Sequence, residues 1–372
     1  MTSRCRTVRA GGFAMVGAVA LSAGMALSAG MARAGALEEV VATPTYDPAP
    51  ERSARTGLSL PVGRCVNLGN TLEAPNEGDW GKRIDDRDFD RIRRGGFATV
   101  RLPVRFSGHA GKEAPYRIDP AFLGRVRHLA DRATASGLNV IVDLHHDDEV
   151  MTDPVGQRDR FVAMWRQIGT AFASAPPSVW FELLNEPRER LTNATLPDLW
   201  KPALAAVREE NPERPVILGG GETSSLPSLV DLELPDDPFV VPTFHYYDPM
   251  TFTHQGATFI HPTPKMGAHW NGAADYRRLA DDLVAVQAYV TRTGRVPFVG
   301  EFGAMETVPE DERAHYYATV SRAFASIGIA SCAWAYRNTF PIVDGKGHWL
   351  PGFPDALARP LDRQEHDARS PG

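Results

Sequence analysis

The stretch PAFLGRVRHLADRATASGLNVIVDLHH, residues 120–146, holds one repeat of the architecture. Residues 120–136 carry apolar side chains at helical spacing, so they read as an amphipathic helix. Gly137 follows, as glycine often does where a helix gives way to a strand. NVIVDL, 139–144, is then almost continuously apolar, the pattern of a strand covered on both faces.

Working outward, the same alternation recurs along the chain. Strands are expected at CVNLGN (65–70), FATVRL (97–102), VWFELL (179–184), PVILGG (215–220), FVVPTF (239–244), VPFVGE (296–301) and ASCAWA (330–335). Helical patterns at 158–174 and 275–293 lie between them. Eight strand units, alternating with helices over about 300 residues, predict an α/β fold of the (β/α)8 TIM-barrel class. It is read as a single catalytic domain over 61–358. No glycine-rich phosphate loop follows the first strand, which argues against a dinucleotide fold.

The ends of the chain differ from this pattern. Arg4, Arg6 and Arg9 precede an Ala/Gly/Leu-rich run, and Ala32-Arg33-Ala34 resembles a small-x-small cleavage site. Residues 1–34 are read as a signal peptide, 35–60 as a leader and 359–372 as a flexible tail. Secretion or transfer to a periplasm is the localisation expected. Removing 1–34 takes away four arginines and no acid, so the formal charge moves from −6 to −10. An acidic surface argues against nucleic acid as a partner. No membrane association is expected after cleavage, and the chain is read as a monomer.

In a barrel of this class the site lies at the C-terminal ends of the strands. Those ends carry Asn70, Glu73 and Trp80; Arg101; Asp143, His145 and His146; Asn185 and Glu186; Glu222; His245, Tyr246 and Tyr247; Glu301; and Trp334. Two carboxylates, Glu186 and Glu301, end buried strands, where an unused charge is costly. Paired carboxylates suit retaining glycoside hydrolysis if one is ionised and the other protonated. Arg101 is placed to keep one ionised, and burial by Trp180, Phe181 and Pro187 to keep the other neutral. Two ordinary salt bridges are the bland alternative.

VNLGNTLEAP, VRLPV, VIVDLHH, FELLNEP, FHYYDP and FVGEFG stand in that order over residues 61–350, and the chain resembles a family-five glycoside hydrolase of the cellulase type. The resemblance implies that Glu186 is the acid/base and Glu301 the nucleophile. It also implies that Asn185 binds the sugar 2-hydroxyl and that Arg101 and Tyr247 hold Glu301. His145 and His245 would line the reacting-sugar site, with Trp334 as an apolar floor. Asn70 and Trp80 complete the expected substrate-binding set. The implied activity needs no cofactor and no metal, and acts within a β-1,4-glucan chain. β-Mannan and mixed-linkage glucan are the alternatives within this chemistry, and a non-catalytic carbohydrate-binding barrel is the alternative from another class. The long Gly/Pro-rich loop 254–270 leaves endo and exo action both open.

Three further features have competing readings. HHDDE (145–149) invites a metal, but neighbouring side chains on an extended chain point apart. Phe252, Trp270, Tyr336 and Trp349 fall in loops, as sugar platforms or as packing; Trp165 and Trp200 read as core. Cys65 and Cys332 lie on strands that meet when a barrel closes. A disulfide across that seam is one reading; because bridges between adjacent parallel strands are geometrically demanding, two buried thiols are the reading preferred.

Overall fold

The computed structural model describes residues 59–357; the expected signal peptide, nearly all of the leader and the tail lie outside them. Strands β1 (Cys65–Asn67), β2 (Thr99–Val104), β3 (Asn139–Leu144), β4 (Val179–Glu182), β5 (Val216–Gly219), β6 (Val240–Tyr246), β7 (Phe298–Phe302) and β8 (Ser331–Ala333) pair in sequence order. Every pairing is parallel, and β8 closes on β1. The barrel is therefore as expected, with several strands shorter than their apolar runs.

A helix follows each of the first seven strands: Asp86–Arg94, Pro120–Ala135, Pro154–Ala171, Leu196–Arg208, Leu226–Val230, Ala273–Thr293 and Glu310–Ser326, with further short helical turns in the loops. Their starts are chemically marked. Asp119 and Asp153 accept the Ala121 and Gly156 N–H groups, each with proline opening the helix behind it. Gly294 ends the longest helix at φ 65°, a left-handed cap that glycine adopts without a Cβ penalty.

Alternation along the strands separates two apolar layers. Outward residues such as Val140, Val142 and Phe181 pack on the helices; Phe181 meets Trp165 and Phe172. Inward residues Ile141, Trp180, Ile217, Val241 and Phe298 fill the barrel's interior beside the cysteines. This corrects the expectation that Trp180 and Phe181 bury the acid/base. Trp180 faces that apolar interior cluster and Phe181 faces the helices, so neither flanks Glu186. Further toward the C-terminal ends the interior becomes polar, with Asn67, Arg101, Asp143, Glu182 and Glu301 all buried.

The two thiols are also corrected. Cys65 and Cys332 are register partners across the β1–β8 seam, with Cα atoms 4.3 Å apart, and they form a disulfide. Direct register places both side chains on the same inward face, which meets the geometric demand that argued against a bridge. The bond joins residues 267 positions apart and ties the first strand to the last. A Cys65→Ser/Cys332→Ser variant should lose about 2–5 kcal/mol of stability. Chemical denaturation checks this, and a midpoint equal to that of wild type would refute it.

The loop aromatics divide in favour of packing. Phe252, Trp270 and Tyr336 are buried, Trp270 lying edge-on to Tyr276 and Tyr316. Trp349 stacks on Phe97 at 5.4 Å. Trp165 and Trp200 are core, as expected. Trp80 differs, with 44% of its surface exposed at the rim.

Candidate active site

Arg101 organises the polar layer. Its Nε and Nη2 donate to the two oxygens of Glu182, both at 2.7 Å. Nη2 also donates to Asn185 Oδ1 at 2.8 Å, and Nη1 to Asn67 Oδ1 at 2.9 Å and Glu301 Oε1 at 2.6 Å. A guanidinium has five N–H donors, and these five bonds use them all. Asp143 Oδ2 lies 2.9 Å from Nη2 as a third carboxylate around one cation. Burial alone would push these acids up; the guanidinium opposes it, and Asp143 still stands at about 7.

Glu186 and Glu301 come together above this layer. One oxygen of each, with a nitrogen of His245, falls within a set whose members lie within 4.8 Å of one another. So close an approach of their oxygens agrees with the separation of about 5–5.5 Å of a retaining pair rather than the roughly 6.5–9.5 Å of an inverting one. Burial pushes both carboxyls up to about 7, Glu301 with 5% of its side chain exposed and Glu186 with 28% open to the cleft, so the loss of water bears more heavily on Glu301. They share a site, so their partners decide where a proton resides. Glu301 accepts from Arg101 at one oxygen and from the Tyr247 hydroxyl, 2.8 Å away, at the other. Both bonds favour its anion. Glu186 meets only the neutral His245 imidazole, Nδ1 at 2.9 Å; among the described residues no guanidinium or ammonium lies within 4.0 Å of its carboxyl oxygens, Arg188 acting on it only from farther away, so the proton is assigned to Glu186.

His245 stands between the two carboxyls, its Nδ1 2.9 Å from Glu186 and 3.6 Å from Glu301. Burial lowers its pKa, so the ring is neutral. Its Nε2 is buried without a partner. An orphaned acceptor is more tolerable than an orphaned N–H, which assigns the ring proton to Nδ1, facing Glu186. The second oxygen of Glu186 is then left to carry the acid proton. Glu186 itself sits at φ 45°, a left-handed conformation costly for a residue with a side chain. Pro187 behind it is held by the Thr223 N–H at 3.0 Å.

The remaining expected residues occupy distinct positions. Asn185 is fixed by Arg101 at its oxygen, so its amide nitrogen is the free end, 3.4 Å from His145 Nε2. His145 is oriented by Asp143, which accepts from its Nδ1 at 2.6 Å. The His145 ring lies parallel to Trp334, with centroids 5.4 Å apart. Gly69 runs against Trp334, and a Cβ there would sit 2.7 Å from the indole. Asn70, at φ 60°, bonds Thr339 across the rim, and Asn338 returns a bond to its carbonyl. Trp80 stands farther out, edge-on to His146.

HHDDE is used by ion pairs and hydrogen bonds. Beyond His145, Asp147 caps the short helix Asp148–Thr152, Asp148 pairs with Arg188, and Glu149 with Arg160 and Lys112. Sequence reasoning missed Glu182 and Asn67 as site residues. Glu182 had a readable signal: in WFELLNEP it lies two residues past Trp180, hence on the same inward face.

Tyr247→Phe removes one of two donors to Glu301. The acid limb of the pH–rate profile should therefore move upward. The alkaline limb reports loss of the Glu186 proton: activity is present below about 7 and falls as pH rises through it. That limb should stay in place. A pH profile of kcat/KM for the variant makes the comparison, and an unmoved acid limb would show that Tyr247 does not hold Glu301.

Two neighbouring carboxyl groups with unequal partners, on the C-terminal rim of a (β/α)8 barrel, define a retaining glycoside hydrolase class of site. Comparison with known proteins agrees. The chain matches the model of Cellulase (glycosyl hydrolase family 5) over residues 65–339, and it belongs to that family. It is 36% identical over 273 residues to endoglucanase H of Acetivibrio thermocellus, covering 73% of this chain and 29% of that one. The cellulase/esterase CelE of the same organism is 28% identical over 289 residues, covering 72% and 34%. The chain thus spans about a third of the length of these two relatives. Among solved structures, endoglucanase Cel5A from Thermotoga maritima superimposes with a TM-score of 0.77 at 34% identity, covering 80% of this chain and 97% of that one. A second structure of Cel5A, described as in complex with mannotriose substrate, gives 0.78 at 33%, covering 80% and 98%.

Proposed function

We propose that this chain is an endo-β-1,4-glucanase that cleaves by double displacement with retention. The observation that carries the reading is the unequal pair: Glu301 accepts from Arg101 and Tyr247, which favours its anion, while Glu186 meets only His245. In the first step Glu301 attacks the anomeric carbon while Glu186 protonates the departing glycosidic oxygen. In the second, Glu186 takes a proton from water, which attacks the same carbon and releases Glu301. Asn185 offers its amide N–H₂ to the sugar 2-hydroxyl oxygen, a bond that strengthens as positive charge develops on the ring. Trp334 supports the apolar ring face. The protein is exported through residues 1–34 and acts as a monomer on a β-glucan or its oligosaccharides.

The glucan reading rests on relatives named as endoglucanases. β-1,4-Mannan is the second reading, favoured by the mannotriose complex of Cel5A. The test is hydrolysis of β-1,4-glucan, mixed-linkage glucan and mannan, following viscosity and reducing ends together. Endo action on glucan should lower viscosity well before reducing ends accumulate. Silence on all three polymers, with one still bound, would instead indicate a carbohydrate-binding barrel.

A further inference from the structure

A cavity of about 850 Å³ continues the site along the rim, between the loops that follow β1, β7 and β8. Trp80, Asn338 and Thr339 line it, and the last two reach back to Asn70 beside the Trp334 floor. Its volume is within the roughly 300–1,000 Å³ common for ligand sites. In a closed eight-stranded barrel β8 is diametrically opposite β4, which carries the loop of Glu186. The acid/base protonates the leaving group on its own side, so this cavity lies on the glycone side.

Beyond it, sharing Lys82 and Arg337 as a common wall, is a second cavity of about 440 Å³. Lys82, Arg83, Arg87, Arg91, Arg337 and Lys346 line it, against Asp85 and Asp88. Glu77 pairs with Arg83 from outside, and Asp344 accepts from the Lys346 N–H. Even with both counted, cations exceed carboxylates by two, on a chain of net charge −6. Arg87 is held by Asp85, and Arg91 and Arg337 by Asp88, so the arginines are built in place. The Nζ of Lys82 bonds only a neutral carbonyl, that of Gly345. Buried Arg337 Nε has no hydrogen-bond partner.

We infer that this basic cavity recognises an anionic substituent on the glycone side of the bound chain, so that the substrate is an acidic, carboxylate-bearing β-glycan. The inference rests on the glycanase reading above and names its substrate class. A neutral glucan offers hydroxyl oxygens that accept from these cations but no charge that balances them. A carboxylate carried a few sugars from the cleaved bond gains charge-assisted hydrogen bonds there.

The test compares wild type with Lys82→Gln/Lys346→Gln, both at exposed positions away from the catalytic groups. Substrates are carboxymethyl-cellulose and hydroxyethyl-cellulose. Turnover and retention in native gels containing each polymer are both read. The acidic-to-neutral ratio of kcat/KM should fall about three- to tenfold in the variant, since each exposed charge contact is worth little singly. In wild type the ratio should also fall between about 0.01 M and 1 M salt, over which screening length drops from roughly 30 to 3 Å. If the ratio and the retention are equal in the two proteins, the proposal is overturned. It is overturned too if inorganic phosphate alone raises the melting temperature of wild type but not of the variant while retention stays equal, because the cavity would then be a free-anion site. If neither polymer is cut, yet carboxymethyl-cellulose retains wild type more than the variant, the cavity's role stands and the glucanase reading falls.

Discussion

Glu301→Ala should lower kcat by at least about three orders of magnitude, and added azide should restore turnover as an α-glycosyl azide. Removing the carboxylate leaves space beside the anomeric carbon, and Glu186 still delivers its proton to the leaving group. Azide then displaces that group once, so configuration inverts. Glu186→Ala should be comparably slow on unactivated glucan but much less so on an aryl glycoside whose leaving group needs no proton. There Glu301 forms the glycosyl-enzyme and azide resolves it, giving the β-glycosyl azide after two inversions. The opposite anomers distinguish the two roles more sharply than lost activity does. The same anomer from both variants would refute the assignment.

Arg101→Lys should be the most damaging change outside that pair. Lysine keeps the charge but brings at most three donors from one point, where the guanidinium supplies five in a fixed fork. At least two of the five acceptors on Glu182, Glu301, Asn67 and Asn185 are then left unpaired within a buried layer. Breaking a buried ionic cluster costs about 3–5 kcal/mol. Function should suffer for a related reason: Glu301 loses the cation that favours its anion, so its proton affinity rises and activity retreats from the acid side. Denaturant unfolding measures the first effect and a pH–rate profile the second. A variant with wild-type stability would show that Arg101 is not the keystone of the layer.

The legibility of the sequence follows how local each interaction is. NVIVDL coincides with β3 because apolar character on both faces is a property of those six residues alone. Glu186, Glu301, Asn185, His245 and Tyr247 were visible as polar residues at strand ends, and their roles came through the family resemblance. What the chain hid was pairwise and long-range. Direct register of Cys65 with Cys332 depends on how the whole barrel closes. Trp180 and Phe181 are near Glu186 in sequence but not in space, because β4 turns them to opposite sides. Glu73 shows the same limit: a buried acid pushed up to about 7, its carboxylate receives the Asn70 and Thr71 N–H groups and shapes the rim.

Double displacement requires Glu301 to become covalently bound to sugar. The direct measurement is mass spectrometry after incubation with a 2-deoxy-2-fluoro-β-cellobioside carrying a good leaving group, which slows the second displacement more than the first. The expected result is one added fluorosugar per chain, located by peptide fragmentation at Glu301 and absent from Glu301→Ala. A label on another residue, or hydrolysis of the reagent with no adduct at any time, would contradict it.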